Sequence, residues 1–322
     1  MRAILFNQVG GPEVLRLGEA PKPAVGPGTV LIKNHAIGVN FADVLFRQGM
    51  YLTSPSLPDT PGLEAAGVIE AVGPGVGDLK VGMRVAAVAT KTYAEYTLAR
   101  AAQVIPLPGV MSFEKGAAFP IQTLSAYHML HTVHHVTPKQ TVLVHSAAGG
   151  VGGLAVQIAR AAGGRVIGTL SEDSKKTLVM ENGADLVINY TTQDFAEEAL
   201  KYTDGKGVDL ILDAVGKPTM EGDFRCLAPL GRVILYGRAG GAPEPFNLLS
   251  LLGKSHSVSG FVLYTIFELP EKKLEGIVHC FQLMQEGKLK LRIGKTFPLA
   301  EAAEAHRHLE SRQSAGKLLL IP

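Results

Sequence analysis

The chain has 322 residues, of which 46% are hydrophobic and 19% charged, and its formal net charge is +2. This length and apolar content can bury a large core and predict about two domains. No block of like charges occurs, so neither nucleic acid nor an anionic membrane surface is indicated as a partner. The two cysteines, Cys226 and Cys280, have no metal-ligand or redox spacing. This favours a reducing compartment over a disulfide framework.

Two segments raise the question of targeting or membrane insertion. The apolar run within residues 1–7 is too short for a secretory signal. Residues 141–159 are uncharged and long enough for a membrane span, but they contain four glycines. Their apolar residues also change from a strand-like run to helical spacing, so we interpret the segment as a buried strand, turn and helix. We therefore expect a cytoplasmic protein.

The first 120 or so residues have the pattern of a β-rich domain. Short apolar runs at 3–6, 30–32, 65–72, 85–89 and 93–98 alternate with Gly/Pro turns. One short helix is predicted over residues 40–49. Asn40 can cap its amino terminus, Asp43 and Arg47 form an i,i+4 pair, and Gly49 can end it.

From about residue 141 the pattern changes to alternating strands and helices. Strands are predicted at 142–145, 166–169, 186–189, 210–213, 232–236 and 257–262, with helices between the first five. This alternation indicates an α/β domain with a doubly wound parallel sheet. After Pro270 an amphipathic helix is predicted, with Leu274, Ile277, Val278, Phe281 and Met284 on its apolar face and Gly287 as its end. A helix near 300–309 and a strand at 317–321 complete the chain.

A glycine-rich turn follows the first strand of this α/β region. The turn after the predicted strand contains Ala147, Gly149 and Gly150. The predicted helix over 151–162 then begins with Val151 and Gly152. Small residues let the backbone approach a pyrophosphate, and a helix amino terminus offers free N–H groups at its positive end. The strand before the turn, the helix after it and the βα units downstream favour dinucleotide binding over a simple packing turn.

The second strand of this region bears on the choice between NAD and NADP. An enzyme that uses NAD places a carboxylate about twenty residues after the glycine turn, for the ribose 2′-hydroxyl. Here the strand ends at Thr169, Leu170 and Ser171, with no acid at its tip. Ser171 can donate to a 2′-phosphate, and Lys175 or Lys176 can neutralise it, so we predict NADPH. In the alternative, Ser171 caps a helix, the next two acids complement its dipole, and Lys175 is a solvated lysine.

The segment 62–73 has the spacing of the G-H-E-x-x-G-x-V-x-x-V-G motif of zinc alcohol dehydrogenases. The histidine that would bind zinc is replaced by Leu63, and no cysteine occurs before Cys226. Without these ligands neither a catalytic nor a structural zinc site is expected. Alcohol oxidation is then disfavoured, whereas reduction of an electrophilic quinone or α,β-unsaturated carbonyl needs no metal.

These segments together resemble the quinone oxidoreductase (zeta-crystallin-like) branch of the medium-chain dehydrogenase/reductase superfamily, over nearly the full length. The segments that carry the resemblance are 10–15, 38–43, 147–152, 213–216 and 310–312. The resemblance implies a GroES-like domain over 1–121 and 265–322 and a Rossmann domain over 122–264. It also implies a cofactor cleft where the two domains meet, and a homodimer formed through the Rossmann sheet near 251–264.

The resemblance also implies site residues. Asn40, Phe41, Asp43 and Ser125 would lie near the nicotinamide, and Tyr51 would face the substrate. Asn40, Asp43, Ser125 and Tyr51 are therefore the candidate catalytic residues. The remaining cofactor contacts that the resemblance implies, besides the glycine turn, are Ser171, Lys175, Tyr190, Val215, Gly237, Phe261, Val262 and Arg312.

Simpler interpretations stay open for several of these residues. Asn40 could serve only as a helix cap, Asp43 only as the partner of Arg47, and Tyr51 only as a loop anchor. A group of histidines at helical spacing, His128, His131, His134 and His135, has no accompanying carboxylate. We interpret it as an exposed histidine face and not as a metal site.

The function predicted from the sequence is zinc-independent, direct hydride transfer from NADPH to a quinone, with Tyr51 or water supplying the proton. The first alternative is an NADPH-dependent enoyl or 2-alkenal reductase, because the chemistry is the same. The second is a cofactor-binding structural or RNA-binding protein, which the absence of a basic stripe disfavours.

Overall fold

The computed structural model describes all 322 residues and divides into two compact units. The first consists of residues 1–121 and 291–322, and the second of residues 122–290. The strands are β1 (Arg2–Leu5), β2 (Arg16–Glu19), β3 (Thr29–Val39), β4 (Glu64–Val72), β5 (Arg84–Val88), β6 (Tyr96–Arg100), β7 (Val104–Pro106), β8 (Thr141–Val144), β9 (Arg165–Leu170), β10 (Leu186–Asn189), β11 (Val208–Asp213), β12 (Leu227–Leu235), β13 (Ser257–Gly260), β14 (Ile293–Pro298) and β15 (Lys317–Ile321). The helices are α1 (Phe41–Arg47), α2 (Phe113–Ala118), α3 (Pro120–His128), α4 (Gly150–Ala161), α5 (Lys176–Glu181), α6 (Phe195–Tyr202), α7 (Met220–Cys226), α8 (Tyr264–Phe267), α9 (Pro270–Gln285) and α10 (Ala302–Glu310).

The first unit is built on a seven-stranded sheet around the long strand β3. The strand order is β14-β15-β3-β4-β5-β7, and β6 also pairs with β3. Most pairs are antiparallel, but β14 runs parallel to β15. A core that includes Ile4, Phe6, Ile37 and Phe297 packs on one side of this sheet. This is the GroES-like domain expected from the sequence.

The second unit contains a six-stranded, fully parallel sheet in the order β10-β9-β8-β11-β12-β13. In order along the chain this is the 3-2-1-4-5-6 arrangement of a Rossmann fold, as predicted. Strands buried on both faces need continuous apolar runs, and all four residues of β8 are buried. Helices α4 to α7 connect the first five strands, so the predicted alternation of strands and helices is confirmed.

The division of the chain differs from the sequence-based one at its second boundary. Residues 265–290, expected in the first domain, lie in the second unit. The reason is local packing. Helix α9 lies against α3, and Gln157 of α4 accepts a hydrogen bond from the backbone N–H of Lys290 at 2.7 Å.

The predicted apolar face of α9 was wrong in part, because Ile277, Phe281 and Met284 are half-buried but the other two residues are not. Leu274 and Val278 are 60% and 57% exposed, whereas Gly276, Cys280 and Leu283 are buried. A Cβ on Gly276 would lie 2.5 Å from the Nε2 atom of His128, so the missing side chain lets the helices approach closely at that point. A small residue carries no hydrophobic signal, and the apolar periodicity therefore indicated the neighbouring face.

Three short strands were not predicted from the sequence: β2, β7 and β14. Each is at most six residues long. In β14, Gly294 and Lys295 lie in an exposed stretch. Their pairing partners, and not their own sequences, determine their conformation. None of the helices has the length and apolar character that a membrane crossing requires.

The close contact between β3 and β4 at Gly67 gives a test of packing. A Cβ at this position would lie 1.9 Å from the carbonyl oxygen of Lys33. Gly67→Ala should therefore lower the free energy of unfolding by about 3 kcal/mol or more, because the two strands must move apart. Denaturant titration followed by circular dichroism measures this. Gly109→Ala is the matched control, since nothing lies within 4 Å of its Cβ position. An equal loss of stability in the two variants would show that the close contact of β3 and β4 does not require a glycine at position 67.

Candidate functional site

The second unit places most of the predicted cofactor residues along one edge of its sheet. Because all six strands are parallel, their carboxyl ends meet at the same edge. The glycine turn follows β8, Ser171 and Lys175 follow β9, and Tyr190 follows β10. Val215 follows β11, Gly237 follows β12, and Phe261 and Val262 follow β13. Ligands of open α/β sheets bind outside this edge, so these separate predictions fall in one place.

The glycine turn leaves the amino terminus of α4 open. Its N-cap residue, Gly149, has no side chain to accept hydrogen bonds, so the first N–H groups of the helix remain available to an anion. A Cβ on Gly152 would lie 2.3 Å from the carbonyl oxygen of Ser146, and one on Gly150 would collide with the amide of Gln122. The turn therefore holds its shape only with glycines at these positions. It fits a dinucleotide pyrophosphate.

The tip of β9 carries Ser171 and a partly buried Lys175. Burial lowers the pKa of Lys175, while the neighbouring charge of Glu172 opposes this effect. Ser171 is not a helix cap, because the following helical turn begins after Glu172 and has no side-chain cap. This removes the alternative role considered for Ser171.

One of the two acids that follow this tip, Asp173, is already paired. Asp173 forms an ion pair with Lys176 at 3.0 Å and accepts a hydrogen bond from the side chain of Asn189 at 2.9 Å. These two contacts lower its pKa. The carboxylate is thus held by β10 and α5 and is not placed as the ribose-binding acid of an NAD site would be.

The turn after β11 is held by the carboxylate of Asp213. It accepts hydrogen bonds from the backbone N–H groups of Val215 at 2.6 Å and Gly216 at 3.1 Å, and from the hydroxyl of Thr219 at 3.0 Å. Gly237 lies beside this turn, and a Cβ there would come within 2.8 Å of the carbonyl oxygen of Ala214. Two neighbouring turns of the edge are therefore packed backbone against backbone.

A buried polar pair beneath this edge was missed by the sequence analysis. The Nε2 atom of His145, at the end of β8, lies 2.8 Å from the carboxylate of Asp223 on α7. Its Nδ1 atom lies 2.7 Å from the hydroxyl of Thr169 on β9. Burial raises the pKa of Asp223 to about 6, and the charge of His145 opposes this. The pair joins the end of β8 to α7, the contact with Thr169 joins it to β9, and no local motif marks it.

Ser125, also in the second unit, is buried on α3 near Thr123. The Thr123 hydroxyl is buried and has no hydrogen-bond partner. The histidines that follow are not the exposed face that we expected. His128 is fully buried and His131 and His134 are partly buried, because the chain forms a π-helical turn over Met129–Val133 against α9. No group of three His, Cys, Asp or Glu side chains is placed to hold a metal ion.

In the first unit, Asn40 occupies the N-cap position of α1, as predicted, and its side chain belongs to a buried polar network. Its Nδ2 donates to Glu64 at 2.9 Å, and its Oδ1 accepts from the ammonium group of Lys317 at 2.7 Å. Lys317 also forms an ion pair with Glu64. Glu64 further accepts a hydrogen bond from the backbone N–H of Ile121 at 2.9 Å. These contacts join β4, β15 and the start of α1.

Asp43 is not the partner of Arg47, contrary to the prediction. One of its oxygens, Oδ2, accepts from the Asn40 backbone N–H at 2.8 Å and from the Tyr93 hydroxyl at 3.1 Å. Arg47 instead forms an ion pair with Glu310 at 2.7 Å and donates to His306. Because α10 packs directly beside α1, the long side chain of Arg47 reaches Glu310 and His306 on α10. Burial raises the pKa of Asp43 to about 7, against the opposing effect of its hydrogen bond to Asn40.

Three other predicted residues lie at the surface of the first unit or near it. Phe41 and Tyr51 are half-buried, and Arg312 is exposed after α10 with a φ of 61°. Burial and the charge of Asp43 raise the pKa of the Tyr51 hydroxyl. The expected roles of these residues toward a ligand remain predictions.

Comparison with known proteins supports the same architecture. The model of the alcohol dehydrogenase GroES-like domain matches residues 26–109, and that of the zinc-binding dehydrogenases matches residues 150–278. A quinone oxidoreductase of Pseudomonas aeruginosa is 37% identical, over 100% of this chain and 99% of its own. The chain belongs to the quinone oxidoreductase branch of the medium-chain dehydrogenase/reductase superfamily.

Two further members of the superfamily are informative. A 2-haloacrylate reductase of Burkholderia is 37% identical, over 99% of this chain and 98% of its own. The structure of Escherichia coli quinone oxidoreductase complexed with NADPH superposes with a TM-score of 0.96 at 36% identity and covers both chains completely. The resemblance read from short segments of the sequence is thus confirmed over the whole length.

The pair of Glu64 and Lys317 gives a second test. Both side chains are essentially inaccessible to solvent. Lys317→Met would leave the carboxylate of Glu64 buried without a cation and should lower the free energy of unfolding by about 3 to 5 kcal/mol. Adding Glu64→Gln should recover part of this loss, because the unpaired charge is removed. Denaturation curves measure both variants.

Arg307→Met is the control for this prediction. Arg307 and Glu304 form an exposed pair on α10 of the same unit, so the denaturation midpoint should not change. A Lys317→Met variant as stable as this control would show that the buried pair makes no net contribution.

Proposed function

We propose that this protein is a zinc-independent NADPH:quinone oxidoreductase that transfers hydride directly from NADPH to a quinone. The observation that carries the proposal is the carboxyl edge of the second unit. It combines an uncapped α4 amino terminus, a turn in which a Cβ on Gly152 would collide with the backbone, and a β9 strand that ends without an acid and is followed by Ser171 and Lys175. The E. coli relative complexed with NADPH supports the choice of cofactor.

The residues of the edge would bind and orient the cofactor. The N–H groups at the start of α4 would hold the pyrophosphate, and Ser171 and Lys175 would hold the 2′-phosphate. The turn of Val215, fixed by Asp213, and the residues after β13 would contact the nicotinamide side. When bound, NADPH supplies a hydride from its C4 atom. Asn40, Ser125 and Tyr51 would orient the acceptor and stabilise negative charge on its oxygen.

Zinc independence rests on the residue types present. Leu63 occupies the position of a zinc-binding histidine, and no cysteine occurs before Cys226. A direct test is NADPH oxidation with a panel of quinones before and after treatment with a chelator. Activity that depends on added zinc, or no oxidation with any quinone or enone, would overturn the proposal.

A second candidate is reduction of an α,β-unsaturated substrate. The 37% identical relative named as a 2-haloacrylate reductase favours it. Relative kcat/KM values for 1,4-benzoquinone and a 2-alkenal separate the two candidates, because the same cofactor and the same hydride donor serve both.

Lys175 gives the test of cofactor choice. Lys175→Ala should weaken NADPH binding about tenfold or more, since a charge-assisted hydrogen bond to the 2′-phosphate is lost, and should leave NADH binding unchanged. Fluorescence titration with each nucleotide measures the two affinities. Lys206→Ala, at an exposed turn after α6, is the control and should change neither. Equal losses of affinity for NADPH and NADH would show that Lys175 does not bind the 2′-phosphate.

We also propose a homodimer formed through the free edge of the second unit's sheet. β13 pairs with β12 alone, and the preceding helical turn exposes Leu248, Leu249 and Leu252 by more than 70%. An unpaired edge beside an exposed apolar patch is typical of an association surface.

Leu249→Asp combined with Leu252→Asp should convert the dimer to a monomer, because charged side chains cannot be buried in an apolar contact. Light scattering after size exclusion reports the mass. Val110→Asp, a 99% exposed position in the first unit, should leave the dimer intact. A wild-type protein that is monomeric at high concentration would contradict the proposal.

A further inference from the structure

The shape of the glycine turn depends on the carbonyl group of Ser146. The backbone N–H of Gly149 donates to this oxygen at 2.8 Å, and a Cβ on Gly152 would lie 2.3 Å from it. Ser146 also has a positive φ of 52°, a conformation that residues other than glycine seldom adopt. A shift of Ser146 would therefore shift the start of α4, whose N–H groups are proposed to hold the pyrophosphate.

His145, the residue before Ser146, is fully buried and is held by both of its ring nitrogens. Nε2 lies 2.8 Å from Oδ1 of Asp223, and Nδ1 lies 2.7 Å from the hydroxyl of Thr169. A carboxylate can only accept a hydrogen bond, so Nε2 donates to Asp223. The ring of Phe195 packs edge-on against the imidazole, with 4.8 Å between the ring centroids. Contacts from β9, α7 and α6 thus fix the orientation of the His145 side chain.

Asp223 is connected in its turn to the loop that follows β11. Its backbone N–H donates to the carbonyl oxygen of Thr219 at 3.0 Å. The Thr219 hydroxyl donates to Asp213 at 3.0 Å, and Asp213 accepts from the backbone N–H groups of Val215 and Gly216. A series of buried contacts therefore connects the glycine turn with the turn at Val215, which is proposed to contact the nicotinamide side of the cofactor.

Strand pairing alone does not require this polar pair. β8 and β11 already pair through their backbones up to Val144 and Leu212, and the N–H of His145 donates to Leu212. Burial of a histidine and an aspartate costs the desolvation of both side chains, and apolar residues of similar volume often stabilise a fold as well. A hydrogen-bonded pair differs from an apolar one because it needs a defined distance and direction. It suits a place where two turns must be held in register.

We propose that His145 and Asp223 are positioning residues for NADPH. They hold the glycine turn at a fixed distance from the turn at Val215, so that one dinucleotide can span both. Neither side chain touches the cofactor, since both are fully buried. They act through the backbone of Ser146 and through Thr219. This inference rests on the cofactor placement in the proposed function and not on the identity of the acceptor.

Two ligands report on different parts of the carboxyl edge. NADPH would need the glycine turn, the turn at Val215 and the tip of β9 together. Adenosine 2′-monophosphate is the adenosine end of NADPH and would need only the residues after β9 and β10, which include Ser171, Lys175 and Tyr190. A loss of positioning should weaken binding of NADPH alone, whereas damage to the fold should weaken binding of both ligands. Isothermal titration calorimetry measures the two affinities.

The first variants change the acceptor of the His145 Nε2 proton. With Asp223→Ala the dissociation constant for NADPH should rise about tenfold or more, since a buried hydrogen bond to a charged group is lost. The dissociation constant for adenosine 2′-monophosphate should not change. Asp223→Asn provides an acceptor oxygen again and should recover most of the affinity for NADPH. The second carboxylate oxygen of Asp223 has no hydrogen-bond partner, so the amide nitrogen that takes its place breaks no contact.

A triple variant separates positioning from stability. His145→Phe, Asp223→Leu and Thr169→Val together replace the polar cluster by apolar side chains. The denaturation midpoint should stay near the wild-type value, because no buried polar side chain of the cluster is left without a partner. The dissociation constant for NADPH should still rise about tenfold, because apolar contacts do not fix the direction of residue 145.

Asp209→Ala is the control for a structural loss in the same two strands. At the opposite, amino-terminal ends of β11 and β8, Asp209 accepts a hydrogen bond from the backbone N–H of Thr141 at 2.7 Å. The variant should lower the denaturation midpoint and leave both ligand affinities unchanged, since this contact lies at the other edge of the sheet.

The inference is overturned by wild-type affinity for NADPH in the triple variant, or by equal losses for the two ligands in Asp223→Ala. It is also overturned if Asp223→Asn recovers nothing, or if Asp209→Ala loses NADPH selectively. These results do not depend on turnover. The expected affinities together with no NADPH oxidation by any quinone or enone would support the inference and overturn the proposed function. Quinone reduction by a protein that gives any of the four contrary results would overturn the inference alone.

Discussion

The first unit depends on charges that have no access to water. Glu64 and Lys317 are each stable in the interior only because the other is present, and Asn40 and the backbone of Ile121 complete their hydrogen bonds. Gly38 contributes by having no side chain, since a Cβ there would lie 2.5 Å from the Glu64 carboxylate. The start of α1, and with it Asn40 and Asp43, is thereby held in one position.

Holding a helix with a buried ion pair costs the desolvation free energy of two charges. An apolar cluster of the same volume often stabilises a fold as well. In addition, the two buried cations pair with some of the acids of this unit and not with others. Lys317 and Arg47 each pair with one carboxylate, and the third carboxyl group, that of Asp43, is buried without an ion-pair partner.

The sequence predicted the second unit better than the first. Apolar runs such as β8 and β11 indicate buried parallel strands, and the glycine turn, with a strand before it and a helix after it, indicates dinucleotide binding. The predicted face of α9 was wrong in part because the close contact is made by Gly276, which has no apolar side chain to detect. The His145–Asp223 pair and the Arg47–Glu310 pair were not predictable, since their members are 78 and 263 residues apart. Such pairs follow from the fold and not from any local spacing.

The arrangement of one short turn on each of six parallel strands has an evolutionary consequence. In the proposed site each turn would contact a different part of a dinucleotide, yet each is anchored by its own strand and, at β11, by its own carboxylate, Asp213. A substitution in the β9 turn can alter recognition of the 2′-phosphate while the glycine turn stays as it is. Preference between the two nicotinamide cofactors can therefore drift among descendants of this chain without any redesign of the sheet that supports them.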